Sequence, residues 1–291
     1  RYKTAGSHSA VKLCHWAKKS ILGEGYCYKQ QFYGIQSHRC LQMTPAVAWC
    51  THKCVFCWRM TEYTIGTEIA NPDEPSTVVD ECLKQQRLLL AGFGGIPDRI
   101  DPKKLEEAMN PNQAAISLVG EPMVYPDMSG LLDEFHRRHF TTFLVSNGTF
   151  PERIASLRRP PTQLYISLDA PDMETYRKID NPLIRDGWDK INQTLEIMKG
   201  MTTKKAIRLT LVKGLNMHGI EGYARLIEKA EPDYVEAKAY MFVGGSRRRL
   251  SIDNMPSNAE VRGFSEKLAE ELGYAVKDEK RDSRVVLLTK R

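Results

Sequence analysis

The sequence predicts an α/β fold, and three observations lead to that class. Short apolar runs alternate with segments of helical period from residue 44 to the end of the chain. Turn-forming Gly, Asn, Asp and Pro residues separate these segments. The 291 residues are 42% hydrophobic, enough for a large core. Since strands that alternate with helices lie parallel, about six such units predict a partial (β/α)6 TIM-like barrel.

The individual elements follow from this alternation. The six strands are predicted at residues 44–50, 114–119, 141–145, 163–168, 206–212 and 234–243. Helices are predicted over 78–91, 102–109, 129–138, 151–157, 172–179, 186–199, 219–230 and 257–272. Strands at 274–277 and 284–289 predict a closing hairpin. Residues 1–43 show little period, so we expect an irregular N-terminal extension beside a core domain of residues 44–291.

Composition limits the class of protein. No run of about eighteen apolar residues is present, so no membrane span is expected. The start of the chain does not resemble a signal peptide. Seven cysteines, mostly clustered, favour metal ligands in a reducing cytoplasm over a secreted disulfide scaffold. The net charge of +6 favours a polyanionic partner. We expect a cytoplasmic monomer.

Three cysteines form a dense motif after the first strand. Cys50, Cys54 and Cys57 are separated by three and then two residues. Three thiolates leave one iron of a cubic iron–sulfur cluster open, whereas a closed zinc site wants four ligands. His52 has poor spacing to be the fourth. The alternative is three unrelated core cysteines; Cys82, on the apolar stripe of a helix, is predicted to be core.

An earlier cysteine series has twelve residues between each neighbouring pair. Its members are Cys14, Cys27 and Cys40. They are either buried structural cysteines or a second iron–sulfur site. Lys29 lies between two of them. A desolvated lysine can lose its proton and form a Schiff base with a carbonyl, although most lysines are solvated.

Polar residues follow three of the predicted strands. Gly120 permits close backbone approach to a ligand, and the Glu121 carboxylate can accept from an ammonium group. Four small polar side chains stand where ribose hydroxyls or a carboxylate could be bound: Ser146, Asn147, Ser167 and Asp169. The alternative for each is an ordinary turn former or helix cap. The carboxyl ends of barrel strands are where catalytic groups lie.

A basic run lies beyond the sixth strand. Arg247, Arg248 and Arg249 suit phosphate contacts with RNA. Other basic pairs are Arg137 with Arg138 and Arg158 with Arg159; a solvated surface is the competing interpretation of each.

The loop from Cys50 to Cys57 resembles the signature of the radical S-adenosylmethionine (SAM) enzymes. The resemblance implies an open (β/α)6 barrel of the radical SAM type. It also implies a 4Fe–4S cluster whose open iron binds SAM and cleaves it to a 5′-deoxyadenosyl radical. Phe56, just before the third cysteine, would then lie near the adenine. Gly120 and Glu121 match the turn that holds the methionine amino group.

Both cysteine series together, with Lys29 and the Ser-Leu-Asp-Ala-Pro segment, resemble the tRNA 4-demethylwyosine synthase family of the wybutosine pathway. This resemblance implies a tRNA-modifying carbon–carbon lyase with two 4Fe–4S clusters. It would condense pyruvate with 1-methylguanosine, 3′ of the anticodon in tRNA-Phe. The second cluster would seat pyruvate, and Lys29 would form a Schiff base or assist ring closure. A flavodoxin-like domain is not recognised, so a separate electron donor is expected.

Two other functions remain open from the residues. A radical SAM activase of glycyl-radical enzymes shares the cysteine loop and the Gly-Glu-Pro turn, but needs neither the earlier cysteines nor the basic run. A zinc-stabilised RNA-binding module without redox chemistry is the alternative of another class.

Overall fold

The computed structural model describes residues 2–291, which form two compact units. Unit 1 consists of Arg1–Trp49, Thr67–Val145 and Leu157–Gln163. Unit 2 consists of Cys50–Gly66, Ser146–Ser156 and Leu164–Arg291.

Unit 1 holds the N-terminal half of the strand–helix pattern. Its strands are β1 (Lys3–Ala5), β2 (Ser9–Val11), β3 (Cys40–Thr44), β4 (Gln113–Ile116) and β5 (Thr141–Ser146, whose last residue belongs to unit 2). Its helices are α1 (His15–Ile21), α2 (Tyr28–Tyr33), α3 (Pro75–Leu90), α4 (Pro102–Met109) and α5 (Met128–Arg137). The first three strands pair antiparallel, whereas β3, β4 and β5 pair parallel.

Unit 2 holds the remaining elements. Its helices are α6 (Pro151–Ala155), α7 (Met173–Ile179), α8 (Gly187–Lys199), α9 (Ile220–Ala230) and α10 (Asn258–Leu272). Its strands are β6 (Gln163–Ser167, whose first residue belongs to unit 1), β7 (Lys204–Leu211), β8 (Tyr234–Ala239), β9 (Tyr274–Lys280) and β10 (Val285–Lys290). Strands β7 and β8 pair parallel, and β10 pairs antiparallel with both β8 and β9.

The predicted fold class is confirmed. The ten strands form one sheet in the order β1-β2-β3-β4-β5-β6-β7-β8-β10-β9. Strands β3 to β8 follow one another in both the chain and the sheet, as the six predicted strand–helix units require. Across residues 2–291, every helix is too short or too polar to cross a bilayer.

Three predictions about local structure were wrong. Residues 2–43 are not irregular, since they contain a β-hairpin and two helices. The first barrel strand ends at Thr44, six residues before Cys50, because Pro45 cannot donate to a strand ladder and the Ala46 N–H donates to Thr44 Oγ1 instead. Helix α3 begins at Pro75, three residues before the predicted start at residue 78, because proline is well accommodated in the first turn of a helix.

An apolar cluster in unit 1 explains why the N-terminal region is ordered. Helix α1 and the residue before it bury Leu13, Ala17 and Ile21 against Leu90 and Ala108. Cys14, which lies directly before α1, packs against the same cluster. The first cysteine of the earlier series is therefore fixed by the core of unit 1 rather than carried on a loose extension.

Candidate active site and its two cysteine triads

The cysteine loop of unit 2 is held by main-chain hydrogen bonds to the end of helix α7. The Val55 N–H donates to the Ile179 carbonyl at 2.8 Å, and the Lys53 N–H donates to the Asp180 carbonyl at 3.1 Å. The Leu183 N–H donates to the Thr51 carbonyl at 2.8 Å. The loop thus has one conformation set by residues about 130 positions later in the chain, even though it is not part of a helix or strand.

The structure brings Cys50, Cys54 and Cys57 together. Burial raises the pKa of the Cys54 thiol well above its usual range, and the charges of Asp180, Cys57 and Cys50 raise it further. These charge effects place the thiols of Cys50 and Cys57 near that of Cys54. Metal binding must therefore displace protons from this triad, and a positively charged metal centre relieves the repulsion between its thiolates.

His52 anchors the loop and remains neutral. Burial lowers its pKa to about 3, and its Nε2 lies 2.8 Å from the Tyr176 hydroxyl of helix α7. Donor atoms of His52, Cys54 and Asp180 lie within 4.8 Å of one another, so a cation could in principle bind there. Because the hydrogen bond to Tyr176 occupies Nε2, we assign His52 to loop packing rather than to the metal, as its spacing predicts.

The structure also brings Cys14, Cys27 and Cys40 together, in unit 1. Burial raises the pKa of Cys40, and the nearby charges of Cys14 and Cys27 raise it further. Cys14 precedes α1, Cys27 caps α2 and Cys40 begins β3, so three elements supply the three thiols. The Cys27 Sγ accepts from the Lys29 N–H at 3.5 Å.

Lys29 lies beside this second triad. Its ammonium charge lowers the pKa of Cys40, which places the two side chains near each other. The side chain is buried, and its Nζ lies 4.7 Å from the centre of the Phe143 ring. A lysine amine can form a Schiff base with a carbonyl carbon, so its position beside the triad suits a nucleophile.

Gly120 and Glu121 form a tight turn after β4 in unit 1. Gly120 has a φ of +72°, and a Cβ there would lie 1.8 Å from the Ala46 carbonyl oxygen. The Glu121 N–H donates to the Trp49 carbonyl at 2.9 Å, and the buried Glu121 carboxylate accepts from the Met123 N–H. Gly120 thus packs closely against the backbone that precedes Cys50. This contact fixes the path of that segment.

Replacing Gly120 with alanine should lower the free energy of unfolding by about 3 kcal/mol, because the new methyl group meets backbone and the φ is left-handed. A urea titration under anaerobic conditions measures this. Gly263→Ala is the matched control, since Gly263 lies within α10 with open space around it. That variant should be slightly more stable than the wild type. Equal midpoints for the two variants would contradict the assigned packing.

The polar residues after β5 and β6 contact the chain itself. The Asn147 amide donates to Thr51 Oγ1 at 2.8 Å, and Ser146 Oγ accepts from the Gly148 N–H. Asp169 Oδ1 accepts from the Thr210 N–H at 2.7 Å, and burial raises the pKa of this carboxyl. Ser167 is half-buried at the end of β6. Asn147 therefore ties the strand end to the cysteine loop within unit 2.

The three arginines at 247–249 differ in their surroundings. Arg247 and Arg248 are exposed. The Arg249 guanidinium instead donates to the carbonyls of Val55, Cys57 and Arg59. Sequence patterns could not find this role, because the partners are about 190 residues away. The basic pairs are likewise engaged in part: Arg137 and Arg138 pair with Glu134, and Arg158 pairs with Asp133.

The residues present fit a three-cysteine cluster at each triad. Each set of thiols is close enough for mutual repulsion, and each is carried by backbone that is fixed by the surrounding fold. Iron–sulfur clusters are held by such thiolates. Phe56, half-buried directly before Cys57, is the aromatic neighbour of the loop.

Comparisons with known proteins agree with this geometry. Residues 45–227 match the model of the radical SAM superfamily, and residues 229–290 match that of wyosine base formation. A relative from Pyrococcus horikoshii, named S-adenosyl-L-methionine-dependent tRNA 4-demethylwyosine synthase, is 57% identical over 99% of this chain and 85% of its own. A relative of the same name from Methanocaldococcus jannaschii is 41% identical over 99% of this chain and 92% of its own.

Solved structures give the same result. One, described as TYW1 with a lysine-pyruvate adduct bound, has a TM-score of 0.90 and 40% identity over 100% of this chain and 92% of that chain. Another, of archaeal TYW1, has a TM-score of 0.82 and 37% identity over 100% of this chain and 92% of that chain. Neither the activase nor the zinc module is supported by these matches. The chain therefore belongs to the tRNA 4-demethylwyosine synthase family of the radical SAM superfamily.

Proposed function

We propose that this chain condenses pyruvate with 1-methylguanosine in tRNA-Phe to form the tricyclic 4-demethylwyosine, as a carbon–carbon lyase. The observation that carries the proposal is that each unit holds one cluster of three thiols, and that the cluster in unit 1 has a buried lysine beside it. One triad suits a radical SAM cluster. The other, in the segment 1–43, suits a second 4Fe–4S cluster that orients a keto acid.

The residues of the loop and of the strand ends would hold the first cluster and SAM. Together these two groups supply the one-electron chemistry that removes a hydrogen from the N-methyl group. Cys50, Cys54 and Cys57 would be the ligands of the cluster. The proposed SAM contacts are Phe56, Gly120, Glu121, Ser146, Asn147, Ser167 and Asp169. The hydrogen bonds of Asn147 to Thr51 and of Asp169 to Thr210 hold these two side chains in place. This supports a role in positioning SAM.

Lys29 would act on pyruvate. Its neutral amine attacks the keto carbon, a carbon–nitrogen bond forms, and the keto oxygen leaves as water to give a Schiff base. The burial of Lys29 and its position beside Cys40 support this role. The TYW1 neighbour with a lysine-pyruvate adduct supports the same chemistry. Cys14, Cys27 and Cys40 would hold the second cluster beside this amine.

The exposed part of the basic run would contact tRNA. Arg247 and Arg248 are free of the loop contacts that engage Arg249, so we narrow the RNA role to these two. The net charge of +6 supports a polyanionic partner.

The test is a reaction with SAM, pyruvate, dithionite and tRNA that contains 1-methylguanosine. Digestion of the tRNA and mass spectrometry of its nucleosides should show the tricyclic base, and omission of pyruvate should abolish it. Cleavage of SAM with an unchanged base would show that the chain is a radical SAM enzyme with another substrate.

A further inference from the structure

A buried arginine near the cysteine loop lacks an anionic partner. Arg59 is only 6% exposed. Its Nη2 donates to the Thr64 hydroxyl at 2.9 Å, which is a neutral acceptor. Its Nε and Nη1 find no acceptor anywhere in residues 2–291. Because a guanidinium is always charged, a buried one without an anion strongly destabilises a fold. The site therefore calls for a negative group that the chain itself does not supply.

The surrounding segment adds positive charge rather than cancelling it. The loop closes on itself, since the Cys50 N–H donates to the Gly66 carbonyl at 3.1 Å. Arg249 lies against this loop and donates to the carbonyl of Arg59 at 3.2 Å. The carboxylate of Glu62 is half exposed and lies 3.6 Å from the guanidinium of Arg249. Arg59 remains uncompensated.

The position of Arg59 indicates which anion it meets. A tRNA phosphate requires a surface site, and Arg59 is buried. Arg59 follows Cys57 by two residues, so their Cα atoms are within about 8 Å and a ligand on the Cys57 sulfur is within reach of a long side chain. Three thiolates on an iron–sulfur core give a centre with net negative charge. That centre is the anion which the sequence brings nearest to the guanidinium.

We propose that Arg59 supplies the positive charge that offsets the cluster of Cys50, Cys54 and Cys57, and so raises its reduction potential. The inference rests on the cluster assigned under the proposed function. Net charge near a cluster is one of the factors that set its potential. Reduction adds a negative charge, which a neighbouring guanidinium stabilises. Arg59 is thus an electrostatic partner of the cluster and not a group that acts on substrate.

The experiment is an anaerobic redox titration of the reconstituted full chain, followed by electron paramagnetic resonance. The signal that changes when SAM is added identifies the relevant cluster. Arg59→Gln should make reduction less favourable by about tenfold, a shift of about 59 mV to lower potential. Arg59→Lys keeps the charge and should stay near the wild-type potential. Arg247→Gln, an exposed arginine of the same unit, is the matched control and should not shift.

Three outcomes would overturn the inference. An unchanged potential in Arg59→Gln, with weaker SAM binding, would assign the guanidinium to the SAM carboxylate instead. If the glutamine variant loses iron, the lysine variant decides, because a charge role predicts that lysine retains the cluster and a packing role predicts that it does not. Absence of any SAM-sensitive signal in the wild type would overturn the proposed function as well.

Discussion

Lys29→Arg should lose more than about 100-fold in formation of the tricyclic base, while SAM cleavage persists. Arginine keeps the positive charge but cannot be deprotonated in a protein, so it cannot form a Schiff base with the keto carbon of pyruvate. Mass spectrometry after borohydride reduction with pyruvate should show a covalent adduct on the wild type and none on the variant. The product assay gives the loss of turnover.

The control for this variant is Lys103→Arg. Lys103 is exposed on helix α4 in the same unit, so its substitution should leave both the adduct and the product unchanged. A Lys29→Arg variant that still makes the base at the wild-type rate would assign pyruvate activation to other groups. The buried position of Lys29 beside Cys40 would then be structural.

Cys54→Ala should abolish reductive SAM cleavage. Cys54 lies at the centre of the loop, and Cys50 and Cys57 both raise its pKa, so its loss leaves two thiols that cannot hold a cluster with one open iron. High-performance liquid chromatography of 5′-deoxyadenosine measures the reaction. The adduct at Lys29 should survive, because that site lies with the other triad.

Cys82→Ala is the matched cysteine control. Cys82 is fully buried on α3, as its place on the apolar stripe predicts, and burial raises the pKa of its thiol. Its loss should cost about 1 kcal/mol of stability and leave SAM cleavage intact. Equal cleavage by Cys54→Ala and Cys82→Ala would contradict the assignment of the loop to a cluster.

Local sequence patterns predicted the order of the strands and helices because each depends on the period of its own residues. Helix α4 was predicted with its observed bounds, and β7 and β8 were predicted to within a few residues. The secondary structure of the N-terminal region was not predicted. Its hairpin strands have three residues each, too few for a period to appear, and helix α1 is held by packing against α3 and α4.

Spacing singled out both cysteine series, although it left open whether the earlier one is structural. It gave no sign of the residues that hold the cysteines in place. His52 meets Tyr176 across 124 positions, and Arg249 meets Cys57 across 192. Contacts between residues so far apart in the chain produce no periodic pattern in a single sequence. Arg59 was equally hidden, because only burial shows that its charge lacks a partner.

We propose that six thiols of one chain bind two separate clusters. The most direct test of this proposal is iron analysis with Mössbauer spectroscopy on anaerobically reconstituted protein. The wild type should hold about eight irons, and a variant with Cys14, Cys27 and Cys40 all replaced by alanine should hold about four and still cleave SAM. If the wild type holds about four irons and the triple variant holds the same number, there is no second cluster. The proposed binding site for pyruvate would then be wrong as well.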